Sequence, residues 1–381
     1  MRSMFPRQIT ASLRADLEQS NKIIILYGPR QVGKTTLVKS LLQQHPEALS
    51  VNADQLQYNE VFASRDLRKM QELIGNKSLL FIDEAQNIRD IGINLKILHD
   101  EMPALKIIVT GSSSLELANS MQEPLTGRTK TYRLYPIAVE EIIQHSSVFE
   151  FRNQLESLLR FGAYPEILET NSAEEKIDKL NELSSAYLYK DILQLSGIRY
   201  ADKLRKLLQL LAFQVGSPVS VNELARALGM SQETVEHYID LLEKGFVLFR
   251  LGAYSSNLRK EITRMNKIYF YDLGIRNALI NNFNPPEMRS DTGAIWENFL
   301  IVERMKQLQY ARVPVNTYFW RTYTGVELDY IEQTGDQLTG YEIKWGKPGK
   351  WPGAWRENYP AAGFENLTRE NFLDFLRPPT R

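Results

Sequence analysis

The chain has 381 residues, with 43% hydrophobic residues, 46 basic and 46 acidic side chains, and no cysteine. That mix belongs to a folded globular protein of two or three domains and excludes a disordered, collagen-like or coiled-coil chain; without cysteine there is no disulfide, thiolate zinc site or cysteine nucleophile. Residues 1–150, 151–260 and 261–381 carry 17, 14 and 15 residues of each sign, so no basic block marks a large nucleic-acid footprint.

Apolar runs of strand length occur at 22–27, 48–52, 78–82, 106–110 and 130–134, with helical periodicity between them, as at Leu37, Val38, Leu41 and Leu42. Near-continuous apolar strands separated by helices predict a parallel sheet covered on both faces. This α/β domain is expected to span 1–145. No apolar run approaches the ~18 residues of a membrane span, and MRSMFPRQIT lacks the apolar stretch of a signal peptide. A cytoplasmic protein with no membrane partner is expected.

Residues 146–215 read as a helical region, with Leu155, Leu158 and Leu159 on one face and Leu204, Leu207, Leu208 and Leu211 on another. In a third segment, 216–260, Ser220 and Glu223 form a capping box that opens a short helix stopping at Gly229. Ser231 caps a second helix, with Val235, Tyr238, Ile239 and Leu242 inward and Gly245 at its end. FVLFRL at 246–251 then reads as a strand, which completes the outline of a winged helix-turn-helix. Glu233, Glu236, Asp240 and Glu243 against Lys244 make the second helix a poor fit to a DNA groove and favour a structural or protein-contact role; the stretch 199–206 is basic, which keeps DNA contact open. A last domain, 261–381, returns to mixed α/β character, with strands near 267–271, 316–321, 325–331 and 339–345.

The strongest motif is Gly28-Pro29-Arg30-Gln31-Val32-Gly33-Lys34-Thr35, a complete G-x-x-x-x-G-K-[ST] between a strand and a helix that begins with Thr35 and Thr36. The glycines let backbone N–H groups turn toward phosphate oxygens, and the helix offers its positive end to the same anion. Lys34 serves as a point charge on the β/γ-phosphates, and the Thr35 hydroxyl as a Mg²⁺ ligand. Leu79-Leu80-Phe81-Ile82-Asp83-Glu84 is a buried strand ending in two carboxylates. Asp83 suits the Mg²⁺ shell, directly or through water, and Glu84 suits the base that activates attacking water.

With these motifs, residues 22–135 resemble the AAA-type P-loop ATPases of bacteria and archaea, with ATP and Mg²⁺ as the implied ligands. The resemblance implies a γ-phosphate sensor at the end of a third strand, here Thr110 or Ser112. It also implies an arginine directed at phosphate, here Arg128, acting within its own chain or on a neighbour; a solvated surface arginine fits the same position. Arg7 is a candidate neighbour of the adenine. Phe161-Gly162-Ala163-Tyr164-Pro165-Glu166, Tyr269-Phe270-Tyr271-Asp272-Leu273-Gly274 and Trp296-Glu297-Asn298 resemble signatures of a prokaryotic family that joins such an ATPase to a C-terminal domain of unknown function.

In that last domain, 325–330 and 341–345 alternate at period 2, and a turn at Gly335-Asp336 with glycine first suits type II′. The turn pairs residues whose numbers sum to 671, so Asp329 faces Glu342 and Glu327 faces Lys344, with Val326, Leu328, Ile343 and Trp345 on the opposite side. Asp…Glu-x-Lys with a helical Glu297 upstream resembles the restriction-endonuclease-like nucleases. That resemblance implies a second metal held by Glu297, Asp329 and Glu342, with Lys344 polarising the water. A solvated charged face fits the same alternation. Lys344-Trp345-Gly346-Lys347 with Lys350 and Trp351 is basic and aromatic, suited to a nucleic-acid backbone or to an ordinary loop. His45, His99, His145 and His237 lack metal-ligand spacing.

Three functions follow as expectations. The first is an ATPase switch controlling the nuclease-like domain. The second is an ATP-gated, metal-dependent nuclease. The third is a non-hydrolysing scaffold. Nucleic acid, a protein or a second copy of the chain are the expected partners.

Overall fold

The computed structural model describes residues 5–111, 125–196, 201–255 and 266–377, with the backbone alone described over 186–196. The chain divides into two compact units. The first comprises Met1–Pro136 with the short stretches Gln194–Gly197 and Lys244–Phe246; the second holds the rest, from Ile137 onward.

The first unit is an α/β layer structure. Its strands are β1 (Ile23–Tyr27), β2 (Ala48–Asn52), β3 (Leu79–Asp83), β4 (Lys106–Gly111) and β5 (Thr129–Arg133). All pair in parallel, in the order β2-β3-β4-β1-β5. IIILY and LLFID are buried at every position, as strands covered by helices on both faces must be. Parallel strands bring all their C-terminal ends to one edge, where ligands of open α/β sheets bind. The loop after β1, the carboxylates ending β3 and Thr110 near the end of β4 therefore share that edge. Because β4 lies between β1 and β3, Thr110 stands between the loop and Asp83.

The second unit begins earlier than the expected boundary at 145. The helix Val139–His145 belongs to it, with its first N–H groups satisfied inside that unit: Ala138 N–H donates to Glu141 (3.0 Å) and Val139 N–H to Glu303 (2.7 Å). Buried helix ends require such partners. Apart from 194–197 and 244–246, residues from 137 onward fall in this one compact unit.

One part of the second unit is a three-stranded antiparallel sheet, β6 (Pro218–Val219), β7 (Leu248–Leu251) and β8 (Asn266–Phe270), in the order β6-β8-β7. It accompanies the helices Ala201–Phe213, Val221–Leu228 and Gln232–Lys244. Ser220 caps the second of these helices, and Gly229 ends it in the left-handed conformation (φ 59°). Arg250 on β7 grips Glu236, Asp240 and Glu243 at 3.2, 2.7 and 2.8 Å. The acids of the third helix thus tie it to the sheet.

The other part is a four-stranded sheet, β9 (Asn316–Arg321), β10 (Glu327–Thr334), β11 (Gln337–Ile343) and β12 (Gly363–Leu367), in the order β12-β11-β10-β9. Tyr330 pairs with Tyr341 and Thr334 with Gln337, and Gly335 takes φ 58°, the register and turn read from the sequence. Burial differs from the simple two-faced reading. Leu328 to Glu332 are all buried, so β10 is covered on both sides and Asp329 does not lie on a solvated face; Val326 precedes the strand and is exposed. Trp320 and Trp355 pack edge to face over Leu328 and Ile331 in the core of this sheet.

The three signatures carried by the family resemblance meet inside the second unit. Asp272 accepts from Ala163 N–H (2.7 Å) and Ile275 N–H (3.1 Å), and Asn298 both accepts from and donates to the Phe270 backbone. A Cβ at Gly274 would stand 2.2 Å from the Phe161 carbonyl oxygen. These residues brace the packing of β8 against its helices.

Candidate functional site

The loop Gly28–Gly33 folds tightly because three of its residues take positive φ: Gly28 (157°), Gln31 (57°) and Gly33 (95°). A side chain at Gly28 would put its Cβ 2.1 Å from the Leu134 carbonyl oxygen, so only glycine fits. Gly33 opens the helix Lys34–Leu42, whose first N–H groups face the loop. The Lys34 ammonium is buried and donates to the carbonyls of Gly28 (2.8 Å) and Pro29 (2.7 Å), which holds it across the loop.

Asp83 ends β3 and is nearly buried. Its Oδ2 accepts from the Thr35 hydroxyl at 2.8 Å, and its Oδ1 accepts from the Thr110 hydroxyl. Thr110 itself is fully buried. Glu84 follows with φ 53°, an uncommon backbone for a residue with a side chain, which turns the chain directly after Asp83. Gln86 donates to Glu84 Oε2 at 2.5 Å. Lys34, Thr35, Asp83, Glu84 and Thr110 thus lie on one edge, whereas Ser112 falls outside the described residues.

Arg128 is not brought to this edge. It precedes β5, and its backbone oxygen accepts from Ile23 N–H at the start of β1, the opposite end of the parallel sheet from the loop. Its guanidinium makes a two-pronged contact with Asp100 at 2.8 and 3.1 Å. Arg128 therefore carries no contact to the phosphate site of its own chain. Arg7 is not an open adenine contact either. Its guanidinium donates to the Val32 (2.7 Å) and Tyr135 (2.6 Å) carbonyls and so fastens the loop from behind.

In the second unit, Glu297 lies on the helix Thr292–Tyr310, Glu327 and Asp329 on β10, Glu342 on β11, and Lys344 just beyond it. The structure brings all five into one cluster. It also inserts a residue that the sequence reading passed over. Lys267 of β8 is fully buried, with its ammonium 2.5 Å from Glu327 Oε1, 3.0 Å from Glu297 Oε1 and 3.8 Å from Asp329 Oδ1. Tyr269 donates to the same Glu297 oxygen at 2.6 Å. Lys344 lies 2.6 Å from Glu342 and 3.4 Å from Asp329, and Ile343 N–H donates to Asp329 at 2.8 Å. Burial pushes Glu297 up to about 7 against the pull of Lys267. Burial also works against the charge on Lys267, but the surrounding carboxylates outweigh it and hold the ammonium above the ordinary lysine range.

This arrangement does not fit a divalent ion. An ammonium stands among the oxygens that would have to converge on the metal, and no group of three or more His, Asp or Glu side chains among the described residues forms a metal site. The second metal expected at Glu297, Asp329 and Glu342, with Lys344 beside it, is therefore withdrawn. Only the tertiary approach of the Lys267 side chain to β10 and to the helix Thr292–Tyr310 reveals it; an isolated lysine at the start of an apolar strand, KIYFY, was the one available signal. The aromatic residues nearby are engaged too: Trp345 packs edge-on against Trp296, and Trp351 stacks on Phe364 at 5.2 Å.

A glycine-bent loop at the carboxyl edge of a parallel sheet, facing a strand-end aspartate, defines the first unit as a P-loop NTPase domain. Residues 20–143 match a family model described as "AAA domain". Residues 152–286 and 292–350 match "Domain of unknown function (DUF8612)" and "Domain of unknown function (DUF4143)". The chain is 32% identical over 344 residues to the uncharacterized proteins Rv2008c of Mycobacterium tuberculosis and Mb2031c of Mycobacterium bovis, covering 89% of this chain and 73% of each relative. It belongs to the family of these proteins. It is also 29% identical over 297 residues to the uncharacterized protein MJ1637 of Methanocaldococcus jannaschii, covering 68% of this chain and 62% of that one. Among solved structures, it is similar to the Signal Transduction ATPase with Numerous Domains (STAND) protein PH0952 from Pyrococcus horikoshii (11% identity, TM-score 0.31, 82% of this chain and 48% of that one). AMPPCP-bound DnaA from Aquifex aeolicus is a further match (18% identity, TM-score 0.28, 61% and 86%). No helix among the described residues is long and apolar enough to cross a membrane.

Proposed function

We propose that the first unit binds ATP with Mg²⁺ and hydrolyses it. The observation that carries this reading is Asp83, whose two oxygens are shared between the Thr35 and Thr110 hydroxyls beside the phosphate loop. Thr35 Oγ1 and Asp83 Oδ2 are adjacent hard oxygen donors, which fits Mg²⁺. Bound there, the ion would neutralise charge on the β- and γ-phosphates. The loop N–H groups and the helix N-terminus bind phosphate oxygens. Lys34 exchanges its loop carbonyls for phosphate oxygen, a stronger, charge-assisted partner. Glu84 accepts the proton of the attacking water, and Thr110 keeps Asp83 oriented toward Thr35.

For the second unit we propose a non-cleaving binding role, controlled by the nucleotide state of the first. The ammonium of Lys267 among the carboxylates argues against metal-dependent cleavage. The Arg250 clamp on the acidic helix favours a protein partner or a second copy of the chain over a DNA groove.

The test is ATP binding and turnover by the full chain. Lys34→Ala is expected to lose ATP binding. Glu84→Gln is expected to bind ATP and turn it over about 10²- to 10⁴-fold more slowly, the usual worth of a general base. Wild-type turnover no greater than that of Lys34→Ala would leave a non-hydrolysing scaffold. Faster turnover with added DNA would make nucleic acid the partner.

A further inference from the structure

Four carboxylates (Glu297, Glu327, Asp329 and Glu342) converge in the second unit, and two ammonium groups (Lys267 and Lys344) lie among them. Buried like charges at this spacing repel strongly unless a cation stands between them. The choice is between an ion from solution and one supplied by the chain. Lys267 is fully buried, and its stem is fixed on β8 by pairing with both neighbouring strands, to Pro218 on one side and Leu251 on the other. Its ammonium touches carboxylates from the helix and from β10 together, while the Phe319 ring lies 5.4 Å away.

We propose that Lys267 is a built-in cation that takes the place of a divalent metal ion in this cage. In the wild-type protein the cage then recruits no metal, and removing the lysine ammonium uncovers a metal site made by Glu297, Glu327 and Asp329.

The chemistry of the two cations separates the alternatives. An ammonium offers three N–H donors and accommodates oxygens at hydrogen-bond distance. Mg²⁺ or Mn²⁺ requires several oxygens drawn in to about 2.1 Å, in the volume where Nζ now sits. A dication would also be placed against a buried monocation. The ligand oxygens are already engaged: Glu297 Oε1 by Lys267 and Tyr269, Glu327 Oε1 by Lys267, and Asp329 Oδ2 by Lys344 and the Ile343 N–H. With the Arg321 guanidinium also 3.6 Å from Glu327, the cage holds four acids against three cations, one of which is Lys267. Loss of Lys267 therefore raises its demand for a cation instead of merely opening a void. This inference is independent of nucleotide hydrolysis in the first unit.

The experiment is Mn²⁺ binding by the nucleotide-free full chain, read by the EPR signal of free Mn²⁺. The variants are wild type, Asp329→Asn, Lys267→Met and the double Lys267→Met/Asp329→Asn. Methionine fills most of the lysine stem volume without the charge, and circular dichroism checks folding. The P-loop contributes equally to all four, so differences report the cage. Equal binding by wild type and Asp329→Asn is expected, with one further Mn²⁺ bound at least tenfold more tightly by Lys267→Met and lost again in the double variant. A wild-type site that disappears in Asp329→Asn would overturn the proposal, and that comparison stands even if Lys267→Met does not fold. A folded Lys267→Met that gains no Mn²⁺ would overturn it as well.

Discussion

Thr110→Val is the sharpest probe of the first unit. Valine matches threonine in shape and removes only the hydroxyl that donates to Asp83 Oδ1. Thr110 is fully buried and Asp83 nearly so, leaving no open solvent to replace that donor. A charged acceptor stripped of a buried partner costs about 2–3 kcal/mol. For a domain between 100 and 150 residues, that corresponds to a fall of roughly 6–15 °C in its melting transition. Thr110→Ser keeps the hydroxyl and loses one methyl, a cost of about 1 kcal/mol. Because Thr35 shares the same carboxylate, Thr110→Val should also slow ATP turnover by about tenfold, equivalent to about 1.4 kcal/mol of lost positioning. The assay is thermal melting of the full chain, following the first unit's transition, with ATP turnover measured in parallel. A double-mutant cycle with Asp83→Asn isolates the pair. If Thr110→Val behaves like Thr110→Ser in both measurements, or if the cycle gives a coupling below about 0.5 kcal/mol, the reasoning fails.

Arg128→Ala should leave turnover by each chain within about twofold of wild type, because its partner is Asp100 at the far end of the sheet; a hundredfold loss would show that it acts on a neighbouring chain. Gly274→Ala should destabilise the second unit by roughly 1–3 kcal/mol or more, since the added Cβ meets the Phe161 carbonyl; a melt unchanged from wild type would refute that packing. Burial alone would raise Asp291, yet the hydrogen bond from Arg289 and the charge of Arg276 hold it down at about 2. The folded state then binds fewer protons than the unfolded chain, so the contribution of this group is full above the ordinary carboxyl range and disappears as pH falls from about 4 toward 2. The stability gap between wild type and Asp291→Asn should narrow over that window, and a gap that stays constant in melts at pH 5, 4 and 3 would contradict it.

Local spacing carried much of this protein. The loop 28–35 is legible because backbone curvature, helix start and lysine placement are all set by neighbours in the chain. Asp83 and Glu84 are legible because a buried apolar run must end where its carboxylates begin. The pairing of β10 with β11, from Thr334 and Gln337 to Tyr330 and Tyr341, followed from one glycine-first turn, since a two-residue turn sets the register of the hairpin. Tertiary structure alone decided the rest. Arg128 follows Gly127 in sequence, but a parallel sheet sends the start of β5 to the edge opposite the loop. Lys267 sits far along the chain from its carboxylates, and only the packing of β8 against the helix Thr292–Tyr310, with its side chain reaching β10, brings its charge among them. An ion pair between distant segments leaves no periodicity behind, because its partners are chosen by which surfaces the hydrophobic core presses together.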